Sequence, residues 1–508
     1  MQLTSQQQTF IDTILSTTSN IALIARAGCG KTSTILVAVD AIVAQQPGAE
    51  IVVCAYNTAI KKEVEAKLIQ RGHTDWKKVQ AATIHSLGFG LVNYAFQRPQ
   101  LEDKKVLNLL NDQPKWSVEQ NAVISNFAQQ INQLVRVAKQ AGVGFFADAP
   151  IADVATWHQL ADHFDIDGLD DIAQVGNIVA IAQEVYTRSL NQTDIIDFDD
   201  MILFPLIKNL RVKYGKDYIF VDEAQDLSRA RQALAKKFIK PGGRMFVIGD
   251  DRQAIYGFSG ADAEALENLI SSLDAVTCPL SMTWRCPQAV VREAQGIVPD
   301  IVAADGAPEG AVEHVDVLPS KLTPGRDAIL CRNTAPLIGI AYDLIRQGIP
   351  AKVEGRAIGE GLDKLASRWS VKNIDQLLVK LDEYKEREVQ KYTARDNLQR
   401  AEEVADKVET LVEICQGCLR QGRRTINDVK SAIARMFGDD VKHAVTLATY
   451  HRSKGREWPR VILIKHAKLC PSRYARQMWQ LRQEENLAYV AITRAQETLV
   501  YYEETENY

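Results

Sequence analysis

Ala25-Arg26-Ala27-Gly28-Cys29-Gly30-Lys31-Thr32 closes one apolar run, and Val221-Asp222-Glu223-Ala224-Gln225-Asp226 closes another. The first follows a predicted strand and opens a predicted helix. In that setting Gly28 and Gly30 let the backbone of Ala27–Gly30 curl so that its N–H groups face phosphate oxygens. Lys31 then reaches the β- and γ-phosphates, and Thr32 is placed to ligate Mg²⁺. In the second stretch Asp222 stands at a strand end to hold the same ion. Glu223 beside it is placed to orient or deprotonate an attacking water. The pair predicts binding and hydrolysis of a nucleoside triphosphate. About 190 residues separate the two stretches, where a βαβ crossover needs only a dozen or so. A piece the size of a small domain is therefore expected inside the nucleotide-binding unit.

The chain has 508 residues, too many for one core and enough for several domains. Its formal net charge of −4 excludes a protein coated in positive charge, yet a local basic stripe is all that nucleic-acid binding needs. No apolar run approaches membrane-spanning length, and the start runs straight into polar Thr4-Ser5-Gln6-Gln7-Gln8. The expectation is a soluble, intracellular, cytoplasmic protein with no membrane partner. The 8 cysteines are scattered, as suits a reducing compartment. Cys415 and Cys418 form a C-x-x-C pair with no second pair to complete a metal site, so they read as ordinary thiols in a helix.

Val- and Ile-rich runs read as buried parallel strands at Asn20–Ala27, Glu50–Asn57, Val79–Ser86, Asp217–Ala224 and Arg244–Asp251. A second set lies at Asp327–Asn333, Ala444–His451, Arg460–Ala467 and Glu497–Glu504. Helical patterns such as Thr32–Gln45 and Asn57–Gln70 alternate with them, which predicts a doubly wound parallel sheet, present twice. Residues 96–194 and 361–440 break the alternation and read as helices only, for example Trp116–Ala141, Leu169–Leu190 and the charge-rich Lys380–Leu411. Thr425 and Asp428 form a capping box for a helix over Ile426–Phe437. The expected partition is 1–95 with 195–275 as a first α/β domain, 96–194 as its helical insertion, 276–360 with 441–508 as a second α/β domain, and 361–440 as its shorter insertion.

The strand after the acidic pair ends in Gly249-Asp250-Asp251-Arg252-Gln253-Ala254-Ile255-Tyr256-Gly257-Phe258. An amide at this position, Gln253, can sense a γ-phosphate, and the aromatics Tyr256 and Phe258 stand where a second ligand can meet them. Nucleotide state and that ligand would be coupled here.

With these motifs in place, the chain resembles the superfamily 1 DNA helicases of the UvrD/Rep type, including their F-box DNA helicase branch. The resemblance covers nearly the whole length in one motif order. Leu3-Thr4-Ser5-Gln6-Gln7 looks like the family's glutamine motif, in which Gln7 reads adenine. Cys54-Ala55-Tyr56-Asn57 and Thr83-Ile84-His85-Ser86 resemble two DNA-contacting segments. Trp284-Arg285 resembles the aromatic–arginine motif of the domain junction. Thr449 to Trp458, which contains His451 and Glu457, resembles the motif joining DNA and ribose contacts. Leu487 to Ala495 resembles the final motif, with Arg494 as an arginine finger.

The resemblance implies two RecA-like P-loop NTPase domains with parallel sheets, each carrying a helical insertion, with ATP and Mg²⁺ between them. It implies catalytic roles for Lys31, Thr32, Asp222, Glu223, Gln253, Arg285 and Arg494, and nucleotide contacts from Gln7, Ala27–Ser33, Trp284 and Glu457. For nucleic acid it implies Tyr56, Thr83, His85, Tyr256, Phe258 and His451. Base–aromatic stacking is sequence-tolerant, which suits a motor stepping along arbitrary DNA. The chain departs from the family pattern at Ser33, where an arginine is usual, at Phe258 for tryptophan and at Ser259 for arginine.

The expected activity is ATP-dependent unwinding of duplex DNA by a motor moving 3′ to 5′ on single-stranded DNA, in replication, repair or recombination. The alternatives are a translocase that strips proteins without unwinding, or a nucleotide-switched DNA-binding subunit of a nuclease or repair complex. The expected partners are single-stranded DNA, single-strand/duplex junctions and a repair, nuclease or recombination protein, with a monomer as one possible state. While working, the protein would sit on the nucleoid. The chain ends soon after Arg494, so no C-terminal nuclease domain is expected.

Overall fold

The computed structural model describes residues 3–112, 115–163, 172–255, 264–394, 398–438, 443–473, 475–476 and 478–503. Tyr256 and Phe258 lie outside them. The chain divides into two compact units, Met1–Ala25 with Gly30–Leu280, and Ser281–Tyr508 with Arg26–Cys29.

In the first unit the strands are β1 Ile21–Ala25, β2 Ile51–Ala55, β3 Val79–Thr83, β4 Gln100–Leu101, β5 Ile195–Ile196, β6 Lys216–Val221, β7 Ile239–Gly249 and β8 Val276–Leu280. Six of them form one sheet in the order β3-β2-β6-β7-β1-β8, every neighbouring pair parallel. All five runs read as strands in this half are present; the interior strands β1, β2, β6 and β7 are buried through most of their length, which is why they are apolar. The sheet core joins Val52, Cys54, Ile219, Val221 and Val247.

Residues 96–194 carry helices Lys105–Leu110, Val118–Ala141, Val154–His163 and Ile172–Asn191. They are not purely helical, because β4 pairs with β5. Their apolar core surrounds Trp157, whose indole meets Tyr186 edge-on with centroids 5.3 Å apart. Beside it lies an ionic cluster. Lys139 Nζ is 2.6 Å from Asp197 and 2.7 Å from Asp200, and Lys105 Nζ is 2.7 Å from the other Asp200 oxygen. Ser189 supplies its hydroxyl to Lys139 and its carbonyl to Lys105. Both lysines and Asp200 are fully buried. Such charges persist only when every donor and lone pair is matched, and here the helices of the insertion and the segment returning to β6 supply the matches.

In the second unit the strands are β9 Met282–Thr283, β10 Val302–Ala303, β11 Ala311–Val315, β12 Asp327–Cys331, β13 Ala351–Val353, β14 Val445–Thr449, β15 Trp458–Ile464 and β16 Ala495–Tyr502. The main sheet runs β11-β16-β15-β12-β14-β13, again all parallel. The charge-rich stretch read as Lys380–Leu411 falls in two helices, Ile374–Ala394 and Leu398–Arg420, joined across by Lys385 and Glu409 at 2.7 Å. Their inner faces bury Leu377, Leu381, Val404, Val408 and Leu411, and Asp406 turns inward to accept from Thr334 N and Ala335 N at 2.9 Å. Cys415 and Cys418 lie in the same core, the Cys418 sulfur 3.7 Å from the Tyr342 hydroxyl. The capping box of helix Ile426–Phe437 is formed, with Asp428 N donating to Thr425 Oγ1 at 3.2 Å and Thr425 N to Asp428 Oδ2 at 2.9 Å. Among the described residues no helix is long and apolar enough to cross a membrane.

Candidate functional site: a phosphate loop facing an acidic strand end

In a parallel sheet every loop that follows a strand lies at the same end. The loops after β1, β2, β3, β6 and β7 therefore gather Lys31, Tyr56, His85, Glu223 and Gln253 at one end of the first sheet. Gly28 and Gly30 have φ of +72° and +79°, a region that glycine enters without steric cost. Gly30 is the N-cap of helix Lys31–Gln45 and has no side chain to satisfy its first-turn N–H groups. Those donors, and the positive end of the helix dipole, are left for an anion. Ala27 and Cys29 are buried in the loop, Ser33 and Thr32 are half-buried in the first turn.

Lys31 Nζ is 2.8 Å from Glu223 Oε1. Burial alone would lower the Lys31 ammonium, but Glu223, Asp222 and Asp250 outweigh it and hold its pKa above the ordinary lysine value. Asp222 is raised as well, which for a carboxylate disfavours the charged form. Burial and then the Glu223 charge raise it, against Lys31. Two carboxylates and one ammonium in a desolvated setting favour a cation beside Asp222 and an anion beside Lys31. Glu223 itself has φ +52° and ψ +44°, left-handed backbone that a non-glycine residue adopts at a cost of order 1–3 kcal/mol. That twist turns its carboxylate toward the phosphate loop.

Gln225 was not singled out from sequence, and its amide ties the site together. Its Nε2 donates to Glu223 Oε2 at 2.6 Å, and its Oε1 accepts from Asp250 N at 3.1 Å. Gln253 Nε2 in turn donates to Asp250 Oδ2 at 2.8 Å. A continuous path thus runs from Lys31 through Glu223, Gln225 and Asp250 to Gln253. The position of Gln225 two residues past Glu223, on a 3-10 turn, was the available signal.

Gln7 is buried. Its Oε1 accepts from Thr4 N at 3.0 Å in a capping box, and its Nε2 donates to Thr34 Oγ1 at 2.9 Å, one turn into the phosphate-loop helix. Tyr56 follows β2 and is 39% exposed. Thr83 caps helix Ile84–Ala95 through Ser86 N at 3.1 Å. His85 stands in that helix's first turn, where burial, then the Arg231 charge, lowers its pKa to about 4. Phe198 is a second residue the sequence reading passed over. It is 46% exposed although Asp197, Asp199 and Asp200 around it are buried. The ionic cluster pins the backbone on both sides of the ring, and helix Asp200–Ile207 approaches Gly88 so closely that a Cβ there would meet Met201 O at 2.0 Å. A charged cluster that holds an apolar ring outward was the missed signal.

The second unit gathers its own set. Arg285 Nε pairs with Glu457 Oε2, and Glu457 Oε1 accepts from Gln496 at 3.0 Å. Arg494 is 1% exposed, its guanidinium donating to Val490 O at 2.8 Å, Arg456 O at 3.0 Å and Thr493 Oγ1 at 3.1 Å. No carboxylate among the described residues pairs with it, and burial and then the Arg285 charge pull its pKa down to about 9. It remains a cation at neutral pH. Trp284 is exposed beside Arg285. His451 is on the short helix Tyr450–Ser453 after β14, where burial, then Arg332, Arg452 and Lys454, lower its pKa to about 3.

An uncapped helix N-terminus after a glycine turn, a lysine on that helix and an acidic pair at the tip of β6, separated from β1 by β7 alone, define a P-loop nucleotide-binding unit. The comparisons place it further. The UvrD/REP helicase N-terminal domain matches residues 3–274, and the UvrD-like helicase C-terminal domain matches residues 364–504. The chain belongs to the UvrD/Rep-like superfamily 1 helicase family. It is similar to the ATP-dependent DNA helicase PcrA of Staphylococcus aureus, 30% identical over 132 residues, which is 24% of this chain and 18% of the relative. The PcrA of Staphylococcus epidermidis matches to the same extent. The chain thus spans about a fifth of the length of the curated relatives it matches.

Proposed function

We propose that the chain is an ATP-dependent DNA helicase that moves 3′ to 5′ on single-stranded DNA and opens single-strand/duplex junctions. The observation that carries the reading is the hydrogen-bonded path from Lys31 through Glu223, Gln225 and Asp250 to Gln253. It joins the group that meets phosphate to the strand tip preceding Tyr256 and Phe258.

In this mechanism the N–H groups of Ala27–Gly30 and the Lys31 ammonium bind the phosphates. Thr32 and Asp222 would hold Mg²⁺, which when bound would supply neutralisation of charge on the phosphate oxygens. Lys31 leaves Glu223 for the γ-phosphate, and the freed carboxylate takes the water proton. Gln225 holds that carboxylate in line. Arg285 and Arg494 stabilise the charge on the transferring phosphoryl group, Glu457 meets the ribose and Trp284 the base. Gln253 reports the γ-phosphate to the DNA aromatics. Residues 1–95 with 195–275 and 276–360 with 441–508 serve as the motor domains, and 96–194 and 361–440 as the insertions. Tyr56, Phe198, Thr83, His85 and His451 hold the strand.

The test is steady-state ATP hydrolysis with and without single-stranded DNA, on wild type and Glu223→Gln. Strong stimulation that the variant loses supports a DNA-driven motor. Absent stimulation sinks it and favours a nucleotide-switched binding subunit. A forked-duplex assay beside streptavidin displacement then separates unwinding from stripping without unwinding.

A further inference from the structure

The opposite end of the first sheet carries a surface that the motor chemistry does not use. The loops preceding β2, β3, β6 and β7 meet there. Lys216 Nζ donates to Lys77 O at 3.3 Å, Lys78 Nζ to Pro47 O at 3.3 Å, and Lys216 N to Phe238 O at 2.8 Å. Two large aromatics project from these loops, Trp76 67% exposed and Tyr214 70% exposed. Each has a lysine over its own ring, Lys77 at 5.9 Å and Lys213 at 5.4 Å from the centroids.

The charge is one-sided. Asp217 pairs with Lys240 at 3.0 Å, Glu50 lies 3.5 Å from Lys240 and 4.0 Å from Lys216, and Asp75 accepts from Lys77 N at 3.0 Å. The acids at this end are thereby engaged. Lys77, Lys78, Lys208, Arg211 and Lys213 are exposed and pair with no carboxylate among the described residues. Lys208 and Arg211 belong to the same end, because Asn209 between them accepts from Lys237 at 2.9 Å, just before β7.

The geometry points to a second binding surface for single-stranded nucleic acid, built on Trp76, Tyr214, Lys77 and Lys213. Exposed rings interleaved with unpaired cations match unstacked bases on a phosphate backbone. An acidic protein segment would use the cations but leave both rings in water. The nucleotide end of the sheet is about 17 Å away, one five-residue strand at ~3.3 Å per residue, so an oligonucleotide too short to cross that distance would be held here as a strand separate from the one the motor steps along. The inference adds that second strand to the proposed motor and is read out independently of it.

The experiment titrates the full chain with a fluorescent oligothymidylate and measures ATPase activity in parallel. Wild type should bind two equivalents. Trp76→Ala/Tyr214→Ala should lose the second, weakened on the order of tenfold per ring removed, with DNA-stimulated ATPase retained. Lys77→Ala/Lys213→Ala should make the salt dependence of that second equivalent shallower by about 1.4 in log–log slope, about 0.7 per phosphate contact. A second equivalent that survives in the aromatic double variant overturns the inference. So does a single equivalent in wild type, including the case where polyglutamate binds instead. Absent DNA stimulation of the wild-type ATPase would strike the motor reading and leave the second equivalent to be judged by binding alone.

Discussion

Lys31 Nζ lies 2.8 Å from Glu223 Oε1, so the cation proposed to bind phosphate and the carboxylate proposed to meet water hold each other. In the proposed mechanism nucleotide breaks this pair before either group acts. Lys31→Ala should bring ATP turnover below a tenth of wild type in a steady-state assay. Glu223→Gln should keep nucleotide binding, seen as a rise in melting temperature with ATP, and lose turnover. A Lys31→Ala protein that turns over above that tenth contradicts the assignment.

Gln225 spans Glu223 and the Asp250 backbone, and it touches no phosphate in the proposed mechanism. Gln225→Ala should therefore lower kcat by roughly a hundredfold, the order of loss expected when a catalytic group is misplaced by about 1 Å. KM for ATP should move little. A rise in KM with kcat unchanged would make Gln225 a binding residue instead.

Arg494 is held by two carbonyls and a hydroxyl in fixed positions, a fork that a lysine ammonium cannot reproduce. Arg494→Lys keeps the charge and should still cut kcat at least about a hundredfold. Thermal melting checks that the variant is folded. Near-normal turnover in a folded Arg494→Lys protein would remove this residue from the transition state.

The neutral histidines give the stability a pH dependence. His85, depressed to about 4, and His451, depressed to about 3, take up protons in the unfolded chain before the folded one. Between the ordinary histidine value near 6.5 and those values the unfolded state binds more protons, so stability falls as pH falls. Urea unfolding from pH 7 to pH 5 should show a declining free energy, flattened in His85→Gln. A pH-independent midpoint would contradict the burial of both rings.

Three of the strands that sequence patterning missed, β8, β11 and β13, lie at the margins of the main sheets, where only β3 was read. Of the two main sheets, the strand pairs at the margins are β3 and β8, and β11 and β13. Val276–Leu280, with Pro279 inside it, Ala311–Val315 and the three-residue Ala351–Val353 were not read as strands. Edge strands are covered less completely, so they carry polar residues and even proline and lose the continuous apolar signature. The interior strands kept it and were all found. The same logic divides the site. Lys31, Asp222, Glu223 and Gln253 are legible as candidates because the phosphate chemistry proposed for them requires their types after strand ends. Gln225 acts through an amide that pattern cannot distinguish from any buried glutamine, and Phe198 is defined by exposure, which only the packing around it sets.

The cluster of Lys105, Lys139, Asp197 and Asp200 bears on how such a protein can be rebuilt. Both ammonium groups come from the helical insertion, and both carboxylates come from the strand-side segment by which the chain leaves it. Losing either side strands an unpaired charge in a dry core, at about 3–5 kcal/mol. A transplanted insertion from another protein must therefore bring two lysines of its own to the same depth, or the receiving aspartates must be neutralised with it. The module is interchangeable only as a lock with its key.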